Sequence, residues 1–372
     1  MRYRVSDLAD LNIRSVSKNA KGVIYYIDTS SVFQGHFREA NRYSAIADAP
    51  SRARRLAQEG DTVISMVRPS NEHIGFIDFD TDNYVFSTGF VVVHPNSEIV
   101  EPFYLYLLLS LDSTTRYLQQ IAETSTTAYP SVKVEDIGNL SFDIPEISKQ
   151  RKIVHKIRII EQKIKLNQEI NDNLDELSTV IFDRWIRNSS SDVKCPLDHV
   201  AKYTNGLAMQ KFRPQNNEIG LPVVKIRELN QGDTDENSDY CTSNIDQSVK
   251  VNTGDIIFSW SGTLTLDIWA GGEAGLNQHL FKVTSSKYPY WFVFEWTKYY
   301  LKSFQNIAKS KATTMGHIKR SDLHSSLVKI PTHDEMIELN TTLSPMYSQK
   351  IAIRHENRVL YQMKPQLLSK YF

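Results

Sequence analysis

Residues 144–186 read IPEISKQRKIVHKIRIIEQKIKLNQEINDNLDELSTVIFDRWI, and residues 330–372 read IPTHDEMIELNTTLSPMYSQKIAIRHENRVLYQMKPQLLSKYF. In the first stretch positions 153, 157, 160, 164, 167, 171, 174, 178 and 181 alternate steps of four and three. They carry Ile153, Ile157, Ile160, Ile164, Asn167, Asn171, Leu174, Ser178 and Ile181. That spacing is a heptad seam with a polar middle, so it predicts a long helix that pairs along one stripe. The same frame in the second stretch falls on Leu339, Leu343, Met346, Lys350, Ile353, Asn357, Leu360, Lys364 and Leu367. Asn171 and Asn357 coincide, and an asparagine on an apolar seam fixes register at a cost in stability. Each helix stops on bulk, Trp185 in one copy and Tyr371 in the other, read as packing anchors. Two equivalent frames favour pairing of the helices with each other over packing of each on its own globule.

Working outward, residues 125–186 lie on residues 311–372 at a constant offset of 186, so Lys133, Asp136, Ile144 and Pro145 fall on Lys319, Asp322, Ile330 and Pro331. Identities are few; the shared order of strand, Ile-Pro, helix and aromatic stop is what repeats. Upstream, the Val23–Ile27 strand pattern answers Leu221–Ile226, and Gly60-Asp61 before an apolar strand answers Gly254-Asp255. The expected fold class is therefore α/β (α+β) globular domains, two in tandem, each followed by a long helix. The two helices are expected to pair as an antiparallel coiled coil, with internal pseudo-two-fold symmetry. The expected boundaries are 1–145 for the first globule, 146–188 for the first helix, 189–331 for the second globule and 332–372 for the second helix. Pro345 and Pro365 stand where the first helix has Ile159 and Thr179. An interior proline removes a backbone hydrogen bond and clashes with the preceding turn, so the second helix is expected to kink or to start late.

Composition is that of an ordinary globular chain, 41% apolar and 23% charged over 372 residues, enough for two or three domains. Cys195 and Cys241 have no CxxC spacing, which argues against a zinc site or a disulfide scaffold and fits a reducing compartment. The N-terminus has no apolar core of a secretory leader, and the apolar runs Phe103–Leu111 and Tyr288–Trp296 are about half of what a bilayer span needs. The expectation is a cytoplasmic protein with no membrane partner.

Net charge is zero, so bulk charge does not favour nucleic acid. Residues 1–145 hold 13 basic against 18 acidic side chains, and 189–331 hold 16 against 14. Local runs differ. Between Gln34 and Arg55 stand Arg38, Arg42, Arg52, Arg54 and Arg55, with Phe37 and Tyr43 interleaved. Between Lys298 and Ser321 there are six basic residues, among them Lys309, Lys311, Lys319 and Arg320, and no acid. Gln210, Lys211 and Arg213 add side chains suited to base edges or phosphates. A solvated charged face explains any one such run equally well. No phosphate-cradling glycine loop, methyltransferase-type glycine motif, Asn/Asp-Pro-Pro-aromatic tetrapeptide or nucleophile elbow is present. His155 has no second histidine on its helix face, and the chain lacks recognisable catalytic or metal-binding equipment.

The plan resembles the specificity subunit of Type I restriction–modification enzymes over essentially the whole chain. The resemblance rests on the Leu197-Asp198-His199-Val200-Ala201 opening, the two Gly-Asp strands, the Asn277-Gln278-His279 turn and, above all, Ile144-Pro145-Glu146 followed by Gln150 and Ile153. It implies two target recognition domains, each reading half of a split, asymmetric sequence in double-stranded DNA, with the long helices between them as a ruler. It also implies two methyltransferase (modification) subunits docked on the helices and restriction/translocase subunits in the full complex. The cofactor, S-adenosylmethionine, would then belong to the methyltransferase partner, with none on this chain, and the chain itself would be no enzyme. The second junction departs from the pattern, with Met336 where the first has Gln150. The alternative is a coiled-coil adaptor with two protein-binding modules and no direct DNA role, favoured by the neutral charge.

Overall fold

The computed structural model describes residues 1–17, 19–124, 129–215, 217–310 and 316–372. The chain packs into two compact units, Met1–Ile159 with Leu367–Phe372, and Ile160–Gln366.

In the first unit an antiparallel sheet orders its strands as Ala9–Leu11, Phe90–Pro95, Thr62–Ser65 and Ile74–Phe76. A second sheet runs Asn41–Tyr43, Ile24–Ile27, Tyr84–Ser87 and Ala53–Arg55, with a parallel central pair. Arg2–Arg4 pairs with Ser141–Asp143 and closes the unit. Val91, Val93, Phe103, Leu107 and Ile137 are buried together, and Ile153 and Ile157 of the first long helix enter the same core. The run Phe103–Leu109 is apolar on nearly every side because its helix, Pro102–Leu109, is almost wholly buried.

The second unit repeats this order. Lys202–Asn205, Leu280–Thr284, Ile256–Ser259 and Leu266–Ile268 form the antiparallel sheet. Tyr240–Cys241, Leu221–Val224, Ala274–Leu276 and Lys250–Val251 form the mixed one, again with its central pair parallel. The Gly-Asp signature is a turn in both. Gly60 (φ 90°) and Gly254 (φ 97°) take the left-handed backbone that glycine allows, and their N–H groups donate to Ile77 and Trp269 at 2.8 Å. Asp61 and Asp255 then accept from the N–H of Gln58 and Asn252.

The long helices span Ile147–Asn188 and His333–Tyr371. The second does not start late. Thr332 and Glu335 form a reciprocal capping pair, Thr332 N–H to the Glu335 carboxylate at 2.9 Å and Glu335 N–H to the Thr332 hydroxyl at 3.3 Å, which fixes the first turn directly behind Pro331. Pro345 and Pro365 lie inside the helix on exposed positions and neither ends it. The Gln150-to-Met336 departure has a similar resolution. Buried Gln150 ties the first helix to Glu101 and Pro145 through hydrogen bonds of 2.9 and 2.8 Å. At the second junction Glu335 takes that part, accepting from Ser189 Oγ, Ser190 N–H and Trp185 Nε1 while Met336 packs on the core.

Within the second unit, numbers rise along one helix as they fall along the other: Glu161 bridges Lys364 at 2.7 Å, Asn167 meets Asn357 at 2.8 Å, and Asp175 pairs with Lys350. Ile160, Ile164, Leu343 and Ile353 are buried on this stripe. Leu177 and Met363, apolar but off the alternating frame, are about half exposed. The polar step is made by Asn167, whose Nδ2 donates to both Asn357 Oδ1 and Glu356 Oε2 at 2.8 Å. That amide, with Lys163, holds the Glu356 carboxyl below its usual range. Asn171 is buried, and its Oδ1 makes no hydrogen bond among the described residues.

Candidate nucleic-acid interface

The arginines between Gln34 and Arg55 do not form one cluster. Arg42 lies on the edge strand Asn41–Tyr43 and Arg54 and Arg55 on the opposite edge strand of the same sheet, three strand spacings or roughly 14 Å away. Arg38 follows the small hairpin Val32–Phe33/His36–Phe37, its N–H bonded to Ser31. Several are committed to the fold. Arg52 donates to Tyr26 Oη at 3.0 Å and pairs with Asp28, and these contacts raise its pKa further above the ordinary guanidinium value. Arg54 donates to the Ala53 carbonyl at 3.1 Å, and Arg55 is half-buried. Tyr43 packs edge-on against Tyr26 at 6.4 Å. Arg38 and Arg42 are exposed and have no ion pair among the described residues, which leaves them available to phosphates.

In the second unit Gln210 and Lys211 sit in the short turn Met209–Lys211 with Arg213 just beyond, all exposed. The buried Met209 anchors that turn in the core beneath the mixed sheet. Lys309 closes the helix Tyr290–Ser310 and lines a cleft of about 360 Å³ with Gly262, Thr263, Gln305 and Gly316. Lys311 lies outside the described residues. Lys319 opens the helix Arg320–Ser325, its N–H donating to Asp322 at 2.7 Å. Lys133 and Asp136 make the same bond in the first unit, so the shared Lys-x-x-Asp spacing is a helix start and leaves the lysine side chains exposed. Arg320 is pinned, donating to the Tyr203 carbonyl at 3.1 Å and lying 5.4 Å from the centre of the Phe281 ring.

Arg68 lies outside both basic runs. Its side chain is exposed and lies 5.0 Å from the centre of the Tyr129 ring, and its backbone is left-handed (φ 48°). A single arginine flanked by Val67 and Pro69 carries no run or motif; the Arg-Pro dipeptide at a strand end was the one available signal. Asp198, His199 and His324 also gather on the surface of the second unit, with His324 Nδ1 at 3.1 Å from Asp198.

Two units, each with an antiparallel sheet and a mixed sheet in the same strand order, and a long helix behind each of two Ile-Pro junctions, define a tandem α/β scaffold with basic turns. Residues 2–176 match the family model described as the Type I restriction modification DNA specificity domain. It is 34% identical over 183 residues to the Type I restriction enzyme HindI specificity subunit of Haemophilus influenzae, covering 49% of this chain and 40% of that one. It is 27% identical over 206 residues to the EcoBI specificity subunit of Escherichia coli, covering 54% and 41%. The chain thus matches about two fifths of the length of these curated relatives. Among solved structures, the Type-I restriction-modification system S subunit from M. genitalium is similar over 100% of this chain and 96% of that one, with TM-score 0.57 and 12% identity, a likeness of fold. No helix among the described residues is long and apolar enough to cross a membrane.

Proposed function

We propose that this chain is a non-catalytic, sequence-specific DNA-binding subunit of a Type I restriction–modification complex, acting in the cytoplasm. Residues 1–145 and 189–331 are its two target recognition domains, and residues 146–188 and 332–372 are spacer helices paired as an antiparallel coiled coil in a pseudo-two-fold arrangement. Each domain reads one half of a bipartite, asymmetric target in double-stranded DNA. The helices dock two methyltransferase subunits, and through them the restriction/translocase subunits. S-adenosylmethionine is bound by the methyltransferase partner.

The observation that carries this reading is the match of residues 2–176 to a DNA specificity domain, joined to the recurrence of the same strand order in the second unit. A duplicated fold with different loops suits two unlike half-sites met by one chain. On the DNA side we place Arg38, Arg42, Tyr43, Arg52, Arg54 and Arg55 in the first domain. In the second we place Gln210, Lys211, Arg213, Lys309, Lys311, Lys319 and Arg320. Arg38, Arg42, Lys211 and Lys319 are exposed and are assigned to phosphates. Methylome sequencing of cells carrying this chain with its methyltransferase partner tests the reading. A split, non-palindromic methylated motif is expected, and exchanging residues 1–145 for those of another family member should change one half only. A continuous or palindromic motif would refute it, as would duplex binding by the purified chain that is insensitive to salt.

A further inference from the structure

The turn between the strands Thr62–Ser65 and Ile74–Phe76 holds Arg68 at φ 48°, ψ 71°, a left-handed backbone that a Cβ makes unfavourable. Arg68 also precedes Pro69, whose ring further restricts the residue before it and favours extended backbone there. The second unit builds the same turn with glycine. Gly262 has φ 68°, and its N–H donates to the Gly316 carbonyl at 2.9 Å, just as the Arg68 N–H donates to the Pro130 carbonyl at 2.9 Å. The flanking bridges correspond as well, Val67 with Ser131 and Ser261 with His317. Where the first unit carries an arginine, the second has the cleft beside Gly262 with Lys309 on its wall.

The turn is held in this shape by its surroundings. Pro69 is buried, the N–H groups of Asn71 and Glu72 donate to Arg68 and Pro69 at 2.9 Å, and Ser70 N–H donates to Gln119 Oε1 at 3.1 Å. None of these bonds uses the Arg68 side chain. Its contact with the exposed Tyr129 ring is of the weak, solvent-facing kind. A side chain at a strained position, where the sister unit shows that glycine suffices, points to a use for the side chain itself.

Resting on the proposed DNA-reading function, we propose that Arg68 is a DNA-contacting, specificity-determining residue of the first unit. The turn presents its guanidinium to the duplex, and the Tyr129 ring orients the fork. Its five N–H donors suit either a guanine edge or a phosphate oxygen.

The test uses the full-length chain and a library of long random duplexes. Wild type, R68G and R68K are compared for thermal midpoint, affinity, salt dependence and selected sequence. Glycine relieves the backbone, so the R68G midpoint should rise by about 2 °C or more while affinity for the wild-type-selected duplex falls about tenfold to a hundredfold. A base contact shows as lost preference at one position that lysine does not restore. A phosphate contact shows as weaker binding to every sequence, with a salt slope smaller by about one and largely restored by lysine. Unchanged affinity and selection in R68G would overturn the proposal and leave the DNA-reading function standing. A lowered midpoint with proportionate loss of binding would also overturn it, because the arginine would then be holding the turn. Absence of DNA binding by wild type would remove the underlying function and the proposal together.

Discussion

At Asn167 one side chain joins the two long helices by donating to both Asn357 and Glu356, and the consequences of removing either asparagine differ. Asn167→Leu leaves the buried Asn357 with only a 3.5 Å contact to the Ile164 carbonyl. It should cost about 1–3 kcal/mol, the usual penalty of a stranded buried amide. Asn357→Leu leaves Asn167 still bonded to Glu356 and should cost less, about 1 kcal/mol. The double substitution makes the seam apolar and should recover most of the loss. Urea unfolding of the three variants measures this, and equal losses in both single variants would refute the asymmetry. Tyrosines give a second expectation. Burial pushes the Tyr104 phenol up to about 12 and raises those of Tyr203, Tyr290 and Tyr347 as well. Groups raised in the folded state confer stability that is whole below the unfolded value near 10 and is lost as pH climbs toward the folded one. Burial lowers the Lys350 pKa, and that contribution has the opposite sign, rising with pH only until the ordinary lysine value is passed. Stability should therefore fall between about pH 10 and pH 12, with tyrosinate absorbance appearing together with unfolding. Titration of these phenols in a chain that stays folded and equally stable would contradict it.

Among the elements, the second long helix departs in one respect from what local sequence rules implied. Proline chemistry predicted a late start or a kink; Thr332 and Glu335 cap the helix at Pro331, so it does not start late, and it continues past both prolines. Pro345 faces solvent between the buried Leu343 and Tyr347, so its cost is the missing N–H and the crowded turn. Pro345→Ala should raise stability by about 1–3 kcal/mol, read from urea or thermal unfolding; a loss would mean that the packing of Leu343 and Tyr347 depends on the proline. Other features were legible because their causes are local. The Gly-Asp turns need a left-handed residue followed by a short acceptor, and the four-three spacing of apolar residues marks the stripe that Ile160, Ile164, Leu343 and Ile353 bury. The mixed sheets were not legible, since a parallel pair such as Ile24–Ile27 with Tyr84–Ser87 joins residues some 60 apart with no turn signal between them. Nor was it legible which side chains of the basic runs already have partners within the fold, for a related reason. Charge in sequence does not tell that Arg52 is spent on Asp28 and Tyr26, or Arg320 on the Tyr203 carbonyl, while Arg68 stands clear of any run.

For the whole molecule, the proposed ruler role of the helices is open to a direct physical test. Inserting seven residues within Ile164–Leu174 lengthens the first helix by roughly 10 Å, about three base pairs of duplex. Seven residues are close to two helical turns, so the stripe of Ile160, Ile164 and Leu174 keeps its phase on either side of the insertion. The segment is also the cheapest place to interrupt, because its middle is the polar pair Asn167 and Asn171 rather than tightly packed aliphatics. The other helix is unmatched over that length, so stability should fall without loss of folding. If the helices set the separation of the half-sites, the insertion must lengthen the spacer in the methylated motif by about three base pairs or abolish binding. A matched insertion of seven residues within Ile351–Leu360 of the second helix should then restore stability while keeping the longer spacer. Sequencing the motif methylated in the presence of each variant gives the answer. A folded, DNA-binding insertion variant that keeps the original spacer would mean that the separation is fixed by the recognition domains or by the docked partners.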